Sequence, residues 1–115
     1  MLIPSEALPH FENQIYLPMM LTILSKDRET FERIGVKFPG PYIKAIDRAI
    51  EAVQAEMKET SDYLRANKMK LIRDRVDDTF TEYIFLYSGR EQKRRYLNVR
   101  LKNRTEELLE LYLMR

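Results

Sequence analysis

Lys68-Met69-Lys70-Leu71-Ile72-Arg73-Asp74-Arg75-Val76 and Phe80-Thr81-Glu82-Tyr83-Ile84-Phe85-Leu86-Tyr87, joined by Asp77-Asp78-Thr79, decide the fold class of this chain. As a pair of strands they make it α+β; as one helix they make it all-α. Two of the five phenylalanines and two of the seven tyrosines fall between positions 80 and 87, beside Ile84 and Thr81. Aromatic and β-branched residues pack well on a pleated surface, so this composition favours sheet. Asp77-Asp78 supplies a tight turn, because Asp side chains hydrogen-bond their own backbone there. Ile72, Val76, Phe80, Tyr83 and Tyr87 also fit a helical period, so a helical alternative stands beside the preferred hairpin of Lys68–Val76 and Phe80–Tyr87.

Upstream lies the clearest element. From Pro41 to Ala66, Ile43, Ile46, Ile50, Val53, Met57, Thr60 and Leu64 step by three and four in alternation, a heptad seam with Thr60 as its one polar member. Such a helix is about 39 Å long, against about 34 Å for a compact globule of this size. It either breaks near Thr60-Ser61-Asp62 or projects to meet another chain. Before it, Leu8, Phe11, Ile15, Met19 and Ile23 mark a first helix from Ser5 to Leu24, with Pro18 predicting a kink or break near Tyr16-Leu17. Ser25 then caps a short second helix that Gly35 ends, and Pro41 opens the third at its first position.

Downstream, Ser88-x-x-Glu91 reads as a capping box that opens a final helix of about 25 residues ending near Met114. Asn98-Val99 is its weakest stretch. The architecture expected is α+β and mainly helical, a single domain over residues 1–115. Its order is three helices, a β-hairpin and a long C-terminal helix, as in winged-helix proteins.

Length and composition agree with one domain: 115 residues, 44% apolar and 33% charged. Folding should leave about 6,600 Å² exposed out of about 20,000 Å². There is no Cys, one His (His10) and only three Gly. That removes disulfides, thiolate sites, His pairs and most phosphate-cradling loops. The acidic group Asp74, Asp77, Asp78 and Glu82 reads better as a solvated hairpin tip than as a cation site. No catalytic residue, cofactor or metal is expected. The opening Met1-Leu2-Ile3-Pro4-Ser5-Glu6 lacks a basic leader, and the most apolar run, Ile15 to Leu24, is too short to span a bilayer. The reading is a soluble cytoplasmic protein without membrane contact.

Net charge is only +2, yet Arg90, Lys93, Arg94, Arg95, Arg100, Lys102 and Arg104 crowd one segment against Glu91 alone. On a helix, Leu97, Leu101, Leu108 and Leu111 form an apolar stripe that Arg94, Arg104 and Arg115 complete. These leucines should be buried, and arginines in such a seam need carboxylate partners, for which Asp47 and Glu56 are the natural candidates. A second basic group, Arg65, Lys68, Lys70, Arg73 and Arg75, surrounds the hairpin.

Leu17-Pro18-Met19-Met20-Leu21, Asn67-Lys68-Met69-Lys70-Leu71-Ile72, Tyr83-Ile84-Phe85-Leu86-Tyr87 and Asn103-Arg104-Thr105-Glu106-Glu107-Leu108 resemble a family of small proteins from Bacillus-like bacteria and their phages, of the YhjD type. The resemblance covers most of the chain and implies a soluble bacterial protein. The family has no established activity, so no functional residues carry over.

Two functions follow as expectations. The first is a non-catalytic interaction or regulatory protein, homodimeric through Ile46, Ile50, Val53 and Met57 of the long helix and Leu97, Leu101, Arg104, Leu108 and Leu111 of the last. The second is a winged-helix-like DNA-binding regulator that uses Arg65, Lys68, Lys70, Arg73 and Arg75 on phosphates.

Overall fold

The structure, a computed structural model, describes residues 3–115; Met1 and Leu2, with which the reading of a leaderless opening begins, lie outside the described residues. A turn of 3-10 helix at Ser5–Ala7 leads into α1 (Leu8–Arg33), followed by α2 (Gly40–Ala66), β1 (Met69–Val76), β2 (Phe80–Tyr87), β3 (Arg90–Leu97) and α3 (Asn98–Leu113). The chain is therefore α+β, as expected, but its order is two helices, three strands and one helix. Three helices followed by a hairpin, and with them the winged-helix order, are not what the chain forms.

The first correction concerns Pro18. α1 runs unbroken through it to Arg33 and absorbs the separate helix expected from Ser25. Pro18 removes the bond to the Gln14 carbonyl, at a cost of about 3 kcal/mol. Leu17, Met20 and Leu24 are buried on either side of it, and each contributes about 1.5–3 kcal/mol. Their burial against α2 outweighs the lost bond.

α2 keeps its whole length. Ile46, Val53, Thr60 and Leu64 of the seam are buried, with Ala49 beside them, and Ile50 and Met57 pack partly buried against the same core. Thr60 fits because Asn13 Nδ2 donates to its Oγ1 at 3.3 Å, which satisfies a hydroxyl that burial would otherwise penalise. Arg28 of α1 clasps Asp47 through Nε (2.6 Å) and Nη2 (3.3 Å). That clasp holds the Asp47 carboxyl below the usual carboxylate range. Neither a break nor a projecting end resolves the length of α2. Instead α1 lies along it and the whole molecule is elongated, 53 × 33 × 18 Å with 8047 Å² exposed, beyond the surface scaling of a sphere-like domain.

The second correction is a third strand. Ser88 and Gly89 both have positive φ (49° and 82°), the backbone of a two-residue type I′ hairpin, whose twist matches that of the flanking strands. Ser88 is thus a turn residue, not a helix cap, and Arg90–Leu97 returns antiparallel to β2. The sheet is a meander ordered β1-β2-β3.

Register sorts the side chains. Thr81, Tyr83, Phe85 and Tyr87 point to the helices, flanked by Leu71 and Met69 on β1 and by Gln92, Arg94 and Tyr96 on β3. The other face is open. At the centre of the covered face Phe85 stacks on Phe11 of α1 at 4.5 Å between ring centres.

α3 begins at the stretch that looked weakest in sequence. Asn98 ties it to the β1–β2 turn: its backbone N–H donates to the Thr79 carbonyl (2.8 Å) and its Nδ2 to the Asp77 carbonyl (2.7 Å). Its Oδ1 accepts from Thr81 Oγ1 (2.7 Å). Asp77 in turn accepts from the backbone N–H groups of Phe80 (2.7 Å) and Thr79 (2.8 Å), which hold its carboxyl below the usual range.

Candidate functional site on the two flanks of the C-terminal helix

α3 lays Leu101, Thr105 and Tyr112 onto the other helices. Thr105 Oγ1 donates back to the Leu101 carbonyl (2.7 Å), so this buried hydroxyl is satisfied within the helix. On each flank of that buried stripe runs a depression.

One is a cleft of about 550 Å³ between Glu12 and Tyr16 of α1, Arg94 and Tyr96 of β3, and Arg100, Asn103, Arg104 and Glu107 of α3. Arg104 Nη1 bonds Glu107 at 3.0 Å, and the Tyr96 hydroxyl donates to Glu12 at 3.4 Å. Arg94 lies over the Phe85 ring, 5.7 Å from its centre. Among the described residues, Arg94 and Arg100 form no ion pair. Burial, reinforced by the Glu12 carboxylate, raises the Tyr16 phenol and pushes the Tyr96 phenol far above its ordinary value. Both stay protonated at neutral pH. Beside the Glu12 and Glu107 carboxylates, the cleft therefore presents guanidiniums, the Tyr16 hydroxyl and an amide, groups that donate hydrogen bonds to anions.

The other depression, about 710 Å³, is apolar: Met19 and Ile23 of α1, Val76 of β1, and Leu101 and Leu109 of α3 line it, with Lys102 and Glu106 on its rim. Ile23 is 37% exposed and Val76 59%.

The structure disperses the residues read from sequence. Ile46 and Val53 are in the core between α1 and α2, Leu101 is buried and Leu108 partly so. Leu97, at the end of β3, is 37% exposed and Leu111 58%, so the expected stripe is not continuous. A strand, advancing two residues per repeat, occupies its start, and within α3 the buried line runs through Leu101, Thr105 and Tyr112, which leaves Leu111 turned outward. Arg104 finds a carboxylate, but on its own helix. Glu56 does meet the end of the chain, with Arg115 Nη2 at 3.6 Å.

Of the hairpin group, Arg65 pairs with Asp62 (3.4 Å) at the end of α2, and Lys68 sits in a turn at φ 55°. Lys70 and Arg75 stand on the open sheet face. Arg73 alternates onto the covered face opposite Tyr83, and the bulge at Asp74 then returns Arg75 to the open side. The acidic residues do not converge either, since Asp77 is committed to its turn. Sequence reasoning missed Tyr16, Arg94, Tyr96 and Arg100 as one group. A usable signal was Ser88-Gly89, since a turn there makes Gln92, Arg94 and Tyr96 alternate onto one face.

The fold and these two depressions define a small two-layer α+β protein, a helical hairpin covering one face of a three-stranded meander. The family model described as YhjD protein matches residues 2–115, and the chain belongs to the YhjD family. It is 32% identical over 102 residues to the uncharacterised protein YhjD of Bacillus subtilis (strain 168), a match covering 89% of this chain and 85% of that relative. No solved structure matches it significantly. Among the described residues, no helix is long and apolar enough to cross a membrane.

Proposed function

We propose that the chain is a non-catalytic interaction protein that acts as a homodimer through the apolar flank of α3. One observation carries the reading: the rim of the groove is complementary to itself. Val99, Lys102, Glu106, Leu109 and Leu113 step by three and four along α3. In an antiparallel two-fold pairing centred on position 104, Lys102 faces the partner's Glu106 and Val99 faces the partner's Leu109. A two-fold axis requires such self-complementarity. The exposed Ile23 and Val76 extend the apolar surface beside the stripe, and burial of that surface supplies the affinity while the rim charges set the register.

The experiment is sedimentation equilibrium of charge-swapped variants. The parent should have twice the chain mass of 13.8 kDa. Lys102→Glu and Glu106→Lys should each weaken the dimer about 5- to 30-fold, since each sets two like-charged pairs across the axis. The double variant should recover most of the loss. A parent that stays monomeric sinks the homodimer; absence of rescue sinks this geometry.

Nucleic-acid binding is a second reading, favoured by the open sheet face. Lys70, Arg75, Lys93 and Arg95 stand there among Ile72, Ile84 and Phe80, with the Arg95 guanidinium 4.0 Å from the Phe80 ring centre. Basic groups so placed on one open face suit a phosphate backbone. An anisotropy titration of duplex DNA at two salt concentrations should show log K falling by about 0.9 per phosphate contact for each unit of log salt. A flat response removes this reading.

A further inference from the structure

The arginine cleft lies on the opposite flank of α3 from the groove and is not used by either reading. Arg94, Arg100 and Arg104 share it with Glu12 and Glu107, which leaves the lining with a net charge of +1. Arg104 is satisfied by Glu107 at 3.0 Å, and Glu12 accepts from Tyr96 at 3.4 Å. Arg94 and Arg100 line the same cleft, and neither forms an ion pair among the described residues. Two like charges in one concavity repel each other and leave ten N–H donors with no carboxylate to accept from them. The Tyr16 hydroxyl, in the same wall, forms no hydrogen bond within the described protein.

What would satisfy this set is an acceptor-rich anion. A phosphate ester carries about −1.5 to −2 at pH 7 and three acceptor oxygens, and the guanidinium fork matches its geometry in a bidentate fashion. A carboxylate offers two oxygens, enough for one bidentate guanidinium fork, whereas a phosphate group has enough for two. Arg94 is also held in place: it is half-buried against Phe85, 5.7 Å from the ring centre, rather than free in solvent. At about 550 Å³ the cleft is within the range of small-molecule sites, about 300–1,000 Å³.

We infer that this cleft binds a phosphorylated small molecule, its phosphate held by Arg94 and Arg100 with the Tyr16 hydroxyl as a neutral donor. The phenol suits that role because burial keeps it protonated. β3 and α3 each contribute one arginine, so the site exists only once the junction at Asn98 has formed.

The test is isothermal titration of the full chain with inorganic pyrophosphate, with citrate and a 20-base-pair duplex as comparison ligands. Pyrophosphate should bind saturably, one per chain. Arg94→Gln and Arg100→Gln should each weaken it about tenfold or more, the range for losing a charged hydrogen-bond partner. Arg94→Lys, which keeps the charge but not the fork, should fall between, and Tyr16→Phe should cost a few-fold. Lys44→Gln, an equal change in net charge on the exposed side of α2, should change nothing. Arg100 is exposed, so Arg100→Gln keeps the test alive if Arg94→Gln folds poorly, as circular dichroism would show. Any of four results overturns the inference: no pyrophosphate binding, equal loss with Lys44→Gln, tighter binding of citrate, or sensitivity of the arginine variants confined to duplex DNA.

Discussion

Phe85→Ala should destabilise the protein by about 3–5 kcal/mol, the range for removing a buried aromatic ring. Phe85 is 0% exposed and occupies the middle of the central strand, between Leu71 and Gln92. Its ring lies nearly parallel to that of Phe11, 12° between planes, an offset stack worth about 0.5–1.5 kcal/mol beyond the area it buries. It is a central point at which α1 grips the sheet. Against a typical total of about 5–15 kcal/mol, the loss is a large share. Thermal melting should fall by more than about 10 °C. Phe38→Ala, which removes a ring that is 68% exposed, should change stability by less than about 0.5 kcal/mol. If the two variants melt alike, the sheet does not pack on α1 through this pair. Phe85 also supports Arg94, so the same variant should loosen the arginine cleft.

The second large effect belongs to Asn98. Asn98→Ala removes two side-chain hydrogen bonds of 2.7 Å each, to Thr81 Oγ1 and to the Asp77 carbonyl. It strands the Thr81 hydroxyl in a site that is nearly closed to solvent. About 1 kcal/mol for each bond and about 1–3 kcal/mol for the stranded hydroxyl give roughly 3–5 kcal/mol. The mechanism makes a sharper statement than the magnitude. Thr81→Val added to Asn98→Ala should recover part of the loss, because it deletes the stranded group, and urea denaturation of the four proteins in the cycle measures the coupling. Strictly additive losses would mean that Asn98 acts through backbone conformation alone and that the hydroxyl has another acceptor. Hydrogen exchange should place the damage at the β1–β2 turn and the first turn of α3, while the centres of α1 and α2 stay protected.

Much of this architecture is legible without coordinates. The alternation of three and four in α2 survives because it reports a face that must leave water, and that face is buried. The aromatic run at 80–87 forms the central strand, where its residues have neighbours on both sides. β3 was not legible, since Arg90-Glu91-Gln92-Lys93-Arg94-Arg95 holds no apolar residue and so registers in neither period. Ser88-Gly89 can cap a helix or turn a hairpin. The free N–H and C=O edge of β2 chose the hairpin, because a central strand must pair on both sides. The arginine cleft followed β3 out of sight, since only strand alternation brings Arg94 and Tyr96 to the wall that Arg100 and Tyr16 complete.

By itself the sequence marked two surfaces that avoid water: the α2 seam and the run from Ile15 to Leu24 within α1. It also favoured α+β over the all-helical alternative, through the aromatic run at 80–87. Periodicity states that a face is covered but not by what. The tertiary structure chose the cover, placing α1 along α2, carrying α1 through Pro18 and giving Asp47 to Arg28. The reason is physical. Propensity, capping and a proline penalty are each worth about 1–3 kcal/mol at one position, whereas closing α1, α2 and the sheet around Phe11, Met20, Val53 and Phe85 buries many side chains at once. Where a local preference and that shared burial disagreed, burial prevailed.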